Sequence, residues 1–207
     1  MQNMGSNNFL IGLTSICLTM SLVFSCSGKR SLTEAELKLF VQNPENGLIK
    51  KIEKNGTLIE MVYRPKELIV AQEVGFQDPV KWKEEMNKLD SIEYFILKLS
   101  RNNDEIENSY ASNSDRYNAV LNYLNGPVSN DIHINIDDQK IKAQFAIFSP
   151  SFGSSTATSV MLQFKYDLDE TGESFEIIFD DGVIGLGRCV FTFQGSEIRE
   201  IPKLLKN

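Results

Sequence analysis

Side-chain catalysis needs a nucleophile beside a base, two placed carboxylates, or a metal cage, and this chain is sparing with all three. His133 is its only histidine. It lies in Asp131-Ile132-His133-Ile134-Asn135-Ile136, where the isoleucines fill one strand face and His133 points to the other, more polar side. That placement predicts a surface or interface histidine rather than a general base. The sequence holds no His/Cys metal cluster, no HExxH pair, no GxSxG elbow and no SxxK pair. Gly182-Val183-Ile184-Gly185-Leu186-Gly187 is glycine-rich, but its spacing is GxxGxG and a strand pattern comes after it. A phosphate cradle needs backbone amides at a helix start, so a glycine-rich strand connection is expected. Asp167-Leu168-Asp169-Glu170-Thr171-Gly172 echoes a calcium loop, yet Ile178 stands where the bidentate glutamate belongs. A hairpin turn is the better reading. Adjacent acids such as Asp180-Asp181 would serve a glycosidase only by flanking one bond, and nothing singles out such a pair. No catalytic residue, metal ligand or cofactor is assigned.

Binding leaves a clearer trace. The segment 148–156, Phe-Ser-Pro-Ser-Phe-Gly-Ser-Ser-Thr, sets an aromatic ring in a polar, glycine-containing loop. Phe152, Gly153 and Ser154 are its candidate contact residues; the alternative is that Phe152 folds back on a sheet edge. The Asn- and Glu-rich stretch 102–113 is the second candidate, with plain solvation as its ordinary explanation.

One cysteine carries a different chemistry. Residues 9–24 are apolar or small and uncharged, and Leu22-Val23-Phe24-Ser25-Cys26 closes the run before Ser27-Gly28-Lys29-Arg30. The run is shorter than the roughly 20 residues of a spanning helix. Residues 1–8 supply no basic flank. An apolar run before a small residue and a cleavage point reads as a removable secretory signal. The cysteine directly after Ser25 makes it resemble a bacterial lipoprotein signal. That resemblance implies a signal peptide over 1–25, cleavage before Cys26, diacylation of its thiol, and acylation of the new amino terminus. An uncleaved anchor and a buried helix are the other readings. Two or three acyl chains, at about 0.8 kcal/mol per buried methylene, anchor stably where one does not. The expected organisation is a signal over 1–25, a lipidated tether over 26–31, and a single α+β domain over 32–207.

Composition narrows the classes further. The net charge is −7, and residues 1–26 carry no Asp, Glu, Lys or Arg, so all of it belongs to residues 27–207. An acidic domain lacks the basic surface that nucleic acids require. Of Cys17, Cys26 and Cys189, only Cys189 remains to the mature domain, which excludes an intramolecular disulfide. Cys189 sits in an alternating run, 188–193, and reads as a small buried hydrophobe.

Local patterns set the elements. Thr33-Glu34-Ala35-Glu36 fits a capping box, and Leu37, Phe40 and Val41 continue a helical stripe that ends near Asn43-Pro44. Asn55-Gly56 between two strand-like runs predicts a hairpin over 48–64, with Ile52 facing Ile59 and Lys51 facing Glu60. Helices are predicted over 66–73, from Asp78-Pro79 to 89, and over 115–124. The apolar run 92–99 predicts a strand buried on both faces. Strands are then predicted over 131–136, 140–148, 158–168, 174–180 and 188–193. The expectation is an α+β fold: N-terminal helices and a β-hairpin (32–127) packed with a C-terminal antiparallel sheet of about five meandering strands (128–207). One face of that sheet is half-polar and the other packs on the helices.

Asn43-Pro44-Glu45-Asn46-Gly47-Leu48, the segment 63–73 and the ending from Gly185 through Ile201-Pro202 resemble uncharacterised lipoproteins of Bacteroidetes-type bacteria. The resemblance spans most of the mature chain and implies an outer-membrane location; it transfers no catalytic residue. Surface-export signals in such lipoproteins place acidic residues after the cysteine. Here Lys29 and Arg30 stand there instead, which favours the periplasmic side. Three functions fit: a non-catalytic envelope lipoprotein that binds a protein partner, a peptidoglycan or glycan hydrolase using carboxylates alone, and a small-ligand binder with its pocket between helices and sheet.

Overall fold

The computed structural model describes residues 31–168 and 174–205. In chain order its strands are β1 (Ser31–Leu32), β2 (Ile49–Lys54), β3 (Thr57–Arg64), β4 (Ile92–Arg101), β5 (Asp104–Glu105), β6 (Ile132–Ile136), β7 (Gln139–Lys142), β8 (Phe145–Phe148), β9 (Thr158–Lys165), β10 (Ser174–Asp181), β11 (Gly187–Gln194) and β12 (Lys203–Leu204). The helices are α1 (Glu34–Gln42), α2 (Lys66–Val74), α3 (Pro79–Lys88), α4 (Ser114–Leu124) and a short α5 (Gly195–Arg199). The fold is therefore α+β, as the patterns predict.

Local chemistry explains many boundaries. Thr33 closes the capping box on α1 with Glu36, so both exposed amide and hydroxyl groups find partners. The Asp78 side chain accepts from Val80 N and Lys81 N, both at 3.0 Å, and starts α3. Asn55 and Gly56 take φ 51° and 68°, which turns β2 into β3. Ile52 lies opposite Ile59 and Lys51 opposite Glu60. Asn102 and Asn103, at φ 55° and 59°, make a second tight turn that folds β5 back onto the end of β4.

The C-terminal strands do not form one meander. The first sheet runs β2-β3-β4-β9-β8, and the second runs β11-β10-β6-β7. Thus β9 pairs with β4, while β10 pairs with β6 and β11. The predicted strand 140–148 divides. Ala143 N still donates to Ile132 O in the second sheet, at 3.0 Å, and Gln144 N donates to Gln163 O in the first, at 2.8 Å. One extended stretch therefore turns the corner from sheet to sheet, as strands do at the edges of crossed packings.

The opposite edge closes through side chains. Lys54 Nζ donates to Arg188 O and Asn55 Nδ2 to Gly185 O, each at 2.9 Å. Lys50 pairs with Glu197 at 3.0 Å and stands over the Phe193 ring. The result is a flattened antiparallel barrel. The half-polar second sheet packs its apolar face on the first sheet, not on the helices as expected. α1 and α2 instead cover the outer face of β3 and β4, burying Leu37, Val41, Leu68 and Val70.

The interior is aromatic. Phe95 on β4 has no exposed surface and meets Tyr63, Phe164, Phe175 and Phe193 edge-on, with centroids 5.3–6.2 Å apart. Phe175 and Phe193 stack at 5.5 Å. Such pairs add about 0.5–1.5 kcal/mol beyond area burial. Replacing Phe95 with alanine is expected to cost about 3–5 kcal/mol, because the rings around the void cannot all collapse inward. Urea unfolding of the variant measures this; a loss below about 1 kcal/mol would contradict the clamp.

Candidate functional site

The strands define two ends. At one, β3 finishes, β4 starts, and α5 brings Ile198 beside Tyr63 and Glu93. At the other lie the Asn55-Gly56 turn, β5, the 149–157 loop and the connection from β10 to β11. Apart from His133, Cys189 and the pair Asp167-Leu168, which follows β9 at the first end, the sequence features with chemical interest cluster at this second end or lie outside the described residues. Cys26 is outside them, as are 169–172 of the calcium-like segment.

The 182–187 connection is a closed structure. The buried carboxylate of Asp181 accepts from Val183 N at 2.9 Å, Ile184 N at 2.8 Å and Leu186 N at 2.6 Å. Amides that a phosphate would need are occupied by the chain's own acid. Tyr110 Oη and the Arg116 guanidinium donate to the carbonyls of Ile184 and Val183. Nearby, Tyr123 Oη donates to Asp131 at 2.7 Å. Burial first, then the bond to Asp131, holds that phenol far above its ordinary range. Asp180 and Asp181 point to opposite faces of β10: Asp180 is exposed and pairs with Arg188 at 3.4 Å. They cannot flank one bond.

Two acids without a sequence signal are buried instead. Glu105 and Glu107 are 1% and 3% exposed. They fall within the stretch expected to be solvated, and their partners lie about fifty residues away, so no local pattern marks them. Glu105 is a strut. Its Oε1 accepts from Ser151 Oγ, and its Oε2 accepts from Gly153 N at 2.7 Å. Thr158 Oγ1 accepts from Ile106 N at 2.8 Å, which directs its own proton to Glu107 Oε2. Glu107 Oε1 accepts no hydrogen bond among the described residues.

The strut fixes the predicted contact loop. Ser154 N donates to Ser151 O at 3.0 Å, with Phe152 at φ 50° and Gly153 at φ 82° between them. Both positive angles match a type I′ turn. Glycine adopts that region freely, whereas a bulky aromatic does so at a cost, and such outliers gather at functional sites. Phe152 is 89% exposed, so the ring does not fold back on the sheet edge. Ser154 Oγ donates to Ser151 O at 2.6 Å and stiffens the turn.

Beneath Phe152 lies an open pocket of about 250 Å³. Glu105, Glu107, Tyr117, Asn122, Phe148 and Phe152 contribute to its wall, and no Lys, Arg or His lines it. The structure thus joins both candidate segments, 148–156 and 102–113, in one site. No group of three or more His, Cys, Asp or Glu able to hold a metal occurs among the described residues.

His133 and Cys189 lie elsewhere. His133 is on the outer face of the second sheet, opposite Ile178; the sequence predicts a surface or interface histidine, and within this chain the side chain is buried. Burial lowers its pKa and Lys140 lowers it further; Asp180 pulls the other way, and Arg188 and Lys142 add smaller downward pulls. Cys189 is buried in the barrel, and burial pushes its thiol pKa up. Neither a family model nor a curated protein sequence matches this chain.

The strut and the buried histidine can each be tested. A Glu105→Gln variant loses one acceptor of the strut, at about 1–3 kcal/mol of local stability. Hydrogen exchange at the Gly153 amide should then accelerate; an unchanged rate would show that the loop is held by other means. For His133 the folded pKa lies below the unfolded one, so between them the unfolded chain binds more protons. Stability should fall as pH drops through the usual histidine range near about 6.5. Over that range the melting temperature of wild type should fall more than that of His133→Gln; parallel pH profiles would contradict it.

Proposed function

We propose that this chain is a non-catalytic, lipid-anchored protein of the cell envelope that holds a protein partner through the Phe152 loop. The observation that carries the reading is the Phe152 ring, fully offered to solvent at a costly backbone angle and braced by a buried carboxylate. A rigid exposed aromatic beside a pocket is the usual composition of a binding hot spot. Anchoring rests on the sequence: Cys26 follows an apolar signal-like run, and the Bacteroidetes-type resemblance favours the outer membrane, with Lys29 and Arg30 favouring its periplasmic side.

The pocket suggests what the partner offers. Its only charged lining groups are carboxylates, one with an uncommitted oxygen, and aromatic rings flank them. A lysine or arginine side chain suits that chemistry through charge and ring faces. Size supports the same view. Pockets for whole small ligands run from about 300 to 1,000 Å³, and this one falls just below. It accommodates one long side chain better than a free ligand.

A photo-crosslinking residue at 152 in living cells should recover one dominant envelope protein. Phe152→Ala should weaken the isolated complex by about 2 kcal/mol, roughly thirtyfold in Kd, with an unchanged melting temperature. Recovery that is diffuse, or indifferent to Phe152→Ala, would remove the loop from the proposal.

A further inference from the structure

The end opposite Phe152 holds both termini of the described chain. β1 and β12 pair there in parallel, Leu32 opposite Leu204, and Leu205 N donates to Leu32 O at 2.7 Å. Three large apolar side chains stand uncovered around this pair. Leu39 on α1 is 66% exposed, Val80 on α3 is 68% exposed, and Leu205 is 41% exposed. Each strand of the pair borders a hollow near one of them. Leu39 borders a hollow together with Leu32. Pro79, beside Val80, borders another with Leu204 and Met86, where Lys83 and Lys203 form the rim.

Chain length decides what faces that surface. Only Ser27 to Arg30 separate Cys26 from β1. Fully extended, that stretch reaches about 18 Å. The inference rests on the anchoring proposed above: with acyl chains on Cys26, β1 stays within that reach of the bilayer. In the sequence, the basic pair Lys29-Arg30 falls within this stretch, in a chain that is acidic as a whole.

We infer that the β1–β12 end is a membrane-apposed face. Leu39, Val80 and Leu205 meet the lipid interface, and Lys83 and Lys203 face the lipid phosphates. The occupant is the phospholipid surface, because the tether leaves it within reach at all times. Strand length then sets the height of the candidate site. Phe152 lies beyond the far ends of β4 and β9, and ten residues of β4 span about 30 Å. The loop is therefore presented away from the membrane, and a partner meets it from that side.

The test uses the full-length acylated protein in vesicles of phosphatidylethanolamine and phosphatidylglycerol carrying a headgroup-linked quencher. Single cysteines are introduced as Leu39→Cys, Val80→Cys and Ser154→Cys and labelled with a small fluorophore; buried Cys189 stays unlabelled. All three positions are exposed, so folding is retained. Quenching at 39 and 80 should exceed that at 154 by at least about threefold, given their separation along the strands. Equal quenching at 80 and 154 overturns the inference. So does a label at 80 that responds to protein concentration in detergent alone, which would mark a second copy as the occupant. The mass of the N-terminal peptide reports acylation separately. An unacylated Cys26 overturns both the anchoring and this face; an acylated Cys26 with an unquenched label at 80 overturns this face only.

Discussion

Everything in this molecule leans on the contact between its two sheets, and that contact is centred on Phe95. Neither sheet can bury its apolar face alone: β9 offers Val160, Leu162 and Phe164, and β10 and β11 offer Phe175, Ile177, Phe191 and Phe193. Face-to-face packing hides both sets at once. Phe95 fills the middle in edge-on contact with rings from both sides. Among the described residues the one cysteine, Cys189, is free and buried, and the aromatic clamp does the cross-linking of the two sheets.

Closing a barrel this way leaves loops at the ends whose backbone groups need partners. Buried acids provide them. Asp181 gathers three amides of the 182–186 turn, Glu105 holds Ser151 and Gly153, and Glu93 accepts from Tyr63 Oη at 2.8 Å. Each carboxylate is charge-assisted as an acceptor, so each bond is stronger than a neutral one. The same device explains the candidate site. A loop pinned by a carboxylate can keep an aromatic ring in water without collapsing onto the sheet, because the strut resists the hydrophobic pull.

The two ends then differ in kind. One gathers the β1–β12 pair with the hollows and uncovered side chains beside it. The other gathers polar loops, buried acids and one exposed phenylalanine. Only four residues of sequence separate Cys26 from β1, so under the proposed anchoring that polarity sets which end stays near lipid and which is offered to a partner.

Sequence alone determined the local elements whose signals are local. The Thr33–Glu36 capping box, the Asn55-Gly56 turn with Ile52 facing Ile59, the Asp78-Pro79 helix start and the inward face of Val160, Leu162 and Phe164 all depend on residues a few positions apart. It also marked Phe152 as a ring in polar company. Tertiary structure alone decided which strand lies beside which. The run 140–148 reads as one strand because its apolar alternation is unbroken, yet the corner at Ala143-Gln144 divides it between sheets. Likewise Glu105 and Glu107 read as solvated acids, because burial there depends on Ser151, Gly153 and Thr158, which only the pairing of β4 with β9 brings near. Strand order and buried charge are both set by long-range packing, and no short window of sequence contains both partners.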